Sequence, residues 1–142
     1  MFGKIFVSLI LAVFITGCGS AAPQTGTEIN VTATDFAYAP SSITIPAGEP
    51  VTLKLTNNGA VEHDYVIEKI NVTDVSASES MPAEHHQMGD MPEYDLHFYA
   101  KAGETATLQF TALEPGTYEV FCSIKGHKEA GMIGTLVVAA QE

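Results

Sequence analysis

Apolar and polar residues alternate with a period of two through most of the chain beyond residue 28. In "VTLKLTN" Val51, Leu53 and Leu55 alternate with Thr52, Lys54 and Thr56, and in "ATLQFTAL" Leu108 and Phe110 keep the same spacing. Successive side chains of a strand point to opposite faces, so this spacing sends one face inward and leaves the other wet. β-branched and aromatic residues fill the short runs, and Gly, Pro and Asn interrupt them. The pattern predicts strands at 28–34, 42–45, 51–57, 63–70, 95–100, 105–111, 116–122 and 134–139. Turn signals stand at Pro46-Ala47-Gly48, Asn57-Asn58-Gly59, Ala102-Gly103 and Pro115-Gly116. No helical stripe runs through 28–75 or beyond residue 96. Seven to eight short antiparallel strands predict an all-β, Greek-key β-sandwich.

Two segments depart from this pattern. The chain opens "MFGKIFVSLILAVFITGCGS", with Lys4 ahead of an apolar run from Ile5 to Ile15. That run is too short for a membrane span, which takes about 20 residues, and it suits a signal-peptide core. The ending Thr16-Gly17-Cys18 resembles a bacterial lipoprotein signal, which implies removal of 1–17 and lipidation of Cys18. Residues 18–27, small and polar, read as a flexible tether, and 28–142 as the folded domain. The second segment, 71–94, has little strand pattern and holds "MPAEHHQMGDM", with a short helix expected around 82–88. Loops of that length in a compact domain are uncommon and often functional.

With Cys18 committed to lipid, Cys122 has no partner within the chain, and an unpaired thiol in an exported protein needs an occupation. The full chain carries 6 basic and 17 acidic residues, a formal charge of −11. Loss of 1–17 removes Lys4 and no acid, leaving −12. Such a surface repels nucleic acid and attracts basic partners over a Debye length of roughly 8 Å. Nucleic-acid binding is excluded on that ground.

Cys122 is followed by His127 and then by Met132, within "FCSIKGHKEAGM". Core packing is one reading, but a glycine-flanked loop is a poor place to bury three side chains. A nucleophilic site is another, with His127 as base, yet no motif for an oxyanion hole or an orienting group is visible. A metal site is the third. Thiolate, imidazole and thioether are soft or borderline donors that suit copper, whereas zinc has little use for a thioether. A fourth donor must come from elsewhere, and His63 stands at the start of the strand "HDYVIE", at the expected end of the sandwich.

"YEVFCSIKGHKEAGMIGTLVV" resembles the copper loop of the cupredoxins, the small blue copper proteins, in particular their auracyanin- and plastocyanin-like bacterial members. The resemblance runs over about 28–140 and includes "VTLKLTNNG". It implies one copper ion held by His63, Cys122, His127 and Met132, with Met132 as a weak axial donor. It implies an electron carrier rather than an enzyme, with no catalytic residues, working as a monomer. Asp64 occupies a position where the family usually has asparagine, whose side chain pins the hydroxyl residue after the cysteine, here Ser123. An ionised Asp64 is expected to favour Cu(II) and lower the reduction potential. Lys125, where relatives often have proline, is expected partly to offset that charge.

Electrons are expected to pass at an exposed edge of His127, with Gly59, Ala60, Ile124 and Ile133 as a small docking patch. The partner expected is basic, such as a cytochrome c or a membrane redox complex. The place expected is the outer face of a bacterial membrane, on the periplasmic or cell-surface side, held by the lipid anchor. The competing reading is an extracytoplasmic copper-handling protein for delivery or storage. It draws on the histidines and methionines of 81–91, and expects a second, weaker copper site at His85, His86, Met88 and Met91.

Overall fold

A computed structural model describes residues 27–78 and 94–141 of the chain. Its strands in chain order are β1 (Thr27–Thr34), β2 (Ala37–Ala39), β3 (Ser42–Pro46), β4 (Pro50–Asn57), β5 (His63–Ile67), β6 (Val72–Ala77), β7 (Leu96–Ala100), β8 (Thr105–Ala112), β9 (Gly116–Phe121) and β10 (Ile133–Ala139). They form two five-stranded sheets, ordered β2-β1-β4-β8-β6 and β3-β10-β9-β5-β7.

Alternation along the strands builds the core between the sheets. In β4, Val51, Leu53 and Leu55 are buried while Thr52, Lys54 and Thr56 are half-exposed. β8 lies antiparallel to β4 with Leu108 opposite Leu53 and Phe110 opposite Val51, so the two strands share one apolar face. Gly134, Leu136 and Val138 of β10 and Val120 of β9 face them from the second sheet. β5 is buried along its whole length, because it sits between β7 and β9 and carries the ring of Tyr65 into the core. Phe98 of β7, fully buried, lies with its ring centroid 5.8 Å from that of Tyr65.

The architecture is the expected sandwich, with corrections of detail. There are ten strands rather than eight among the described residues. β2, only three residues long, is too short for its alternation to stand out, and β6 has an almost fully exposed burial pattern with none. The fifth strand ends at Ile67 and not at residue 70, and β9 ends one residue before Cys122. Not every pairing is antiparallel: β1 runs parallel to β4, and β3 parallel to β10. The connection from β1 leaves the first sheet for β3 in the second and then returns to β4, which brings β4 back in the direction of β1. The helix expected around 82–88 falls outside the described residues, as do the signal segment and the tether.

Replacing Phe98 by alanine is expected to cost about 3–5 kcal/mol, the range for large-to-small changes at fully buried aromatic sites. Urea unfolding of the metal-free domain measures it. A loss under about 1 kcal/mol would mean that the core between β7 and β8 is not packed as described.

Candidate metal centre

Three loops and strand ends meet at one end of the sandwich. β9 delivers Cys122 one residue past its end, and the chain then winds through tight turns to Met132 before β10 begins. His127 N–H donates to Ile124 O at 2.9 Å, Met132 N–H to His127 O at 3.0 Å, and Cys122 N–H to Met132 O at 3.1 Å. The last bond closes the loop, so Cys122 and Met132 stand side by side. Gly131 has φ of 102°, a conformation open to glycine and strained for any other residue, and it permits the turn into Met132.

His63 arrives from the other direction. Asn57, fully buried, donates through Nδ2 to Val61 O at 2.7 Å and Ala100 O at 2.9 Å, and accepts from Gly59 N–H at 2.8 Å. One side chain thus folds the 58–62 loop and fixes where β5 begins. The register of β5 with β7, His63 opposite Ala100, does the rest.

One donor atom from each of His63, Cys122 and His127 lies within 4.8 Å of the other two, and all three residues are buried. Cys122 Sγ is 3.4 Å from His127 Nδ1, and the two imidazole centroids are 5.0 Å apart. Met132 is fully buried beside them. His63 Nδ1 is buried and has no hydrogen-bond partner among the described residues. A buried imidazole nitrogen left unpaired, next to a thiol and a second imidazole, fits a soft or borderline metal ion and fits little else.

Burial first, and then the charge of Asp64, pushes the Cys122 thiol up to about 12, so an incoming metal must displace its proton. Asp64 is itself fully buried. Its carboxylate accepts from Ser123 N–H at 2.7 Å and from the Ser123 hydroxyl, and its other near neighbour is His97 Nε2 at 3.0 Å. Burial works against the charge of Asp64, but hydrogen bonds from His97, Ser123 and Cys122 outweigh it and hold the carboxyl below its ordinary value. Asp64 therefore ties β5 and β7 to the ligand loop. His97 is the group facing it; Lys125 is exposed. His97 carries no motif, and only its register in β7 opposite Val66 brings it here.

The surface around the site also differs in detail from expectation. His127 is 9% exposed, and the ring of Phe36 stands edge-on to it at 5.1 Å. Phe36, with φ of 67°, lies in the β1–β2 turn, where nothing in the strand pattern marks it. Ala60 and Ile133 are exposed, whereas Ile124 packs partly against the core. His85, His86, Met88 and Met91 lie outside the described residues.

The fold and the donor set define a cupredoxin, a β-sandwich with a type 1 copper site at one end. Residues 25–139 match the family of copper binding proteins described as plastocyanin/azurin, and the chain belongs to that family. It is similar to the copper-resistant cuproprotein CopI of Rubrivivax gelatinosus, 31% identical over 84% of this chain and 70% of that protein. It is also similar to auracyanin-B of Chloroflexus aurantiacus, 32% identical over 82% of this chain and 53% of that protein. The solved structure of auracyanin A, "a 'blue' copper protein" of the same organism, superposes with a TM-score of 0.60 at 25% identity, over 80% of this chain and 99% of that one.

Because Asp64 titrates below its ordinary value in the fold, its contribution to stability is present above about pH 3.9, the unfolded value, and is lost as pH falls through the lower folded one. Asp64→Asn should lack that share. Urea unfolding of both metal-free proteins from pH 7 down to pH 3 is expected to show wild type losing stability on acidification relative to the variant. Parallel curves would mean that the carboxylate is not held ionised by Ser123 and His97.

Proposed function

We propose that this protein is a mononuclear blue copper electron carrier that shuttles single electrons between redox partners at the outer face of a bacterial membrane, anchored there by lipid on Cys18. The observation that carries the reading is the convergence of His63, Cys122 and His127 within 4.8 Å, with Met132 buried beside them, at the closed end of a rigid sandwich.

When bound, copper supplies a one-electron couple through a thiolate and two imidazoles, donors that suit both of its oxidation states. The chain's part is to keep those donors in place. The closure of the ligand loop on Cys122 N–H, the Asn57 brace and the Asp64–Ser123 bonds all oppose movement of a donor. Donors that cannot move leave little to rearrange when the charge changes, which favours fast electron exchange. Phe36, Val61 and Ile133 are each 42–48% exposed, and each touches or lies within two residues of His63, His127 or Met132. They form a small apolar surface at the ligand end, suited to brief docking, while the acidic remainder steers a basic partner such as a cytochrome c.

Similarity to a copper-resistant cuproprotein favours one alternative, a copper-handling role in delivery or storage. That role would also draw on His85, His86, Met88 and Met91 as a second, weaker site. A Cu(I) titration separates the readings: a second, colourless equivalent that disappears when those four residues are replaced supports copper handling, and saturation at one copper per chain contradicts it.

For the carrier, the copper-loaded domain is expected to be intensely coloured through thiolate-to-copper charge transfer, and Cys122→Ser should abolish the colour. Electron exchange with a basic cytochrome c should slow as salt is raised, because the docking field is that of an acidic protein. A colourless wild-type complex, or copper transfer to an apo-protein without electron exchange, would overturn the reading.

A further inference from the structure

The β1–β2 turn, Asp35-Phe36, reaches across to both imidazoles of the site. Phe36 touches His127 with its ring, and Asp35 Oδ1 lies 3.3 Å from His63 Nε2. His63 is fully buried and Asp35 is about half exposed, so the carboxylate stands at the rim and points at a ring it does not accompany into the interior. The same Oδ1 accepts Ala60 N–H at 3.1 Å, which holds it there from the other side. Gly59 leaves the space for this contact. A Cβ on that residue would lie 2.5 Å from His63 Nε2 and 2.6 Å from Asp35 Oδ1, closer than real atoms approach.

The backbone of the turn is under strain to make this arrangement. A phenylalanine with φ of 67° is an outlier for a bulky residue, and such strain concentrates where function over-determines the geometry.

A neutral imidazole carries its proton on one nitrogen only. A carboxylate oxygen facing Nε2 repels a lone pair there and attracts a proton, so Nε2 becomes the donor. The lone pair is then left on Nδ1, the nitrogen with no other partner among the described residues. We propose that Asp35 is a positioning residue for copper: it fixes His63 in the Nε2–H tautomer and orients the ring, so that Nδ1 is ready to bind before the metal arrives. The proposal rests on the copper reading of His63, since only a metal ligand needs that nitrogen kept free. Partners of this kind on metal-binding histidines change metal affinity by about 10- to 100-fold when removed. Asp35 is half exposed, so its loss should sit near the tenfold end.

Two variants and two readouts test it. In the metal-free protein at pH 8, long-range nitrogen–proton NMR correlations of the imidazoles report which nitrogen of His63 carries the proton. Wild type should show the Nε2–H form, and Asp35→Ala a mixture of both tautomers. Asp35→Asn should restore the wild-type tautomer, because Ala60 N–H holds the amide oxygen where the carboxylate oxygen was. Cu(II) affinity, measured by competition with a chelator, should fall about tenfold in Asp35→Ala and by clearly less in Asp35→Asn. If wild type binds copper but the tautomer of Asp35→Ala is unchanged, or its affinity equals that of wild type, the role of Asp35 is wrong while the copper reading stands. If wild type binds no copper, the copper reading itself fails.

Discussion

Leaving a buried polar atom without a hydrogen-bond partner costs about 1–3 kcal/mol, and His63 Nδ1 is such an atom, enclosed with an unpaired thiol and a second imidazole. Among the described residues nothing relieves that cost, and much of the surrounding structure maintains it. Asn57 spends its side-chain hydrogen bonds on the loop ahead of His63, the Cys122–Met132 backbone bond shuts the other loop, and Asp64 joins the two. The ligand end of the sandwich is thus arranged to hold the donors together and away from water. A metal ion that accepts nitrogen and sulfur together turns this unfavourable cluster into a favourable one.

The layers of the sandwich were legible wherever a strand had one wet face. β4, β8 and β10 announce themselves by alternation, because one side of each meets the core and the other meets water. β6 does not: its side chains are exposed on both faces, and pairing with β8 across an irregular register holds it in place. The parallel pairings were also hidden, since alternation carries no information about strand direction. His63 and the trio on the ligand loop stood out for different reasons. Cys122, His127 and Met132 share one short loop whose spacing is itself the signal, whereas His63 had to be inferred from its place at the start of a strand.

The residues that tune the site were the least visible. Asp35 is 28 positions from His63, and His97 is 33 from Asp64. Each is an ordinary polar residue until sheet register and a strained turn bring it against its partner. Asp64 stands out in the sequence only because the resemblance puts an asparagine there, and the structure adds the histidine behind it, His97. With Asp35 on one ligand and Asp64 beside the thiol, two carboxylates border the centre, and both favour the higher charge state of a bound metal.

An electron carrier of this kind must hold one donor set rigidly enough to serve both oxidation states of copper. X-ray absorption at the copper edge, on the oxidised and then the reduced protein, tests this most directly. One short sulfur and two imidazole nitrogens are expected in both spectra, with the same donors before and after reduction. Loss of an imidazole or of the sulfur on reduction, or a shell of nitrogen and oxygen alone in either state, would contradict it.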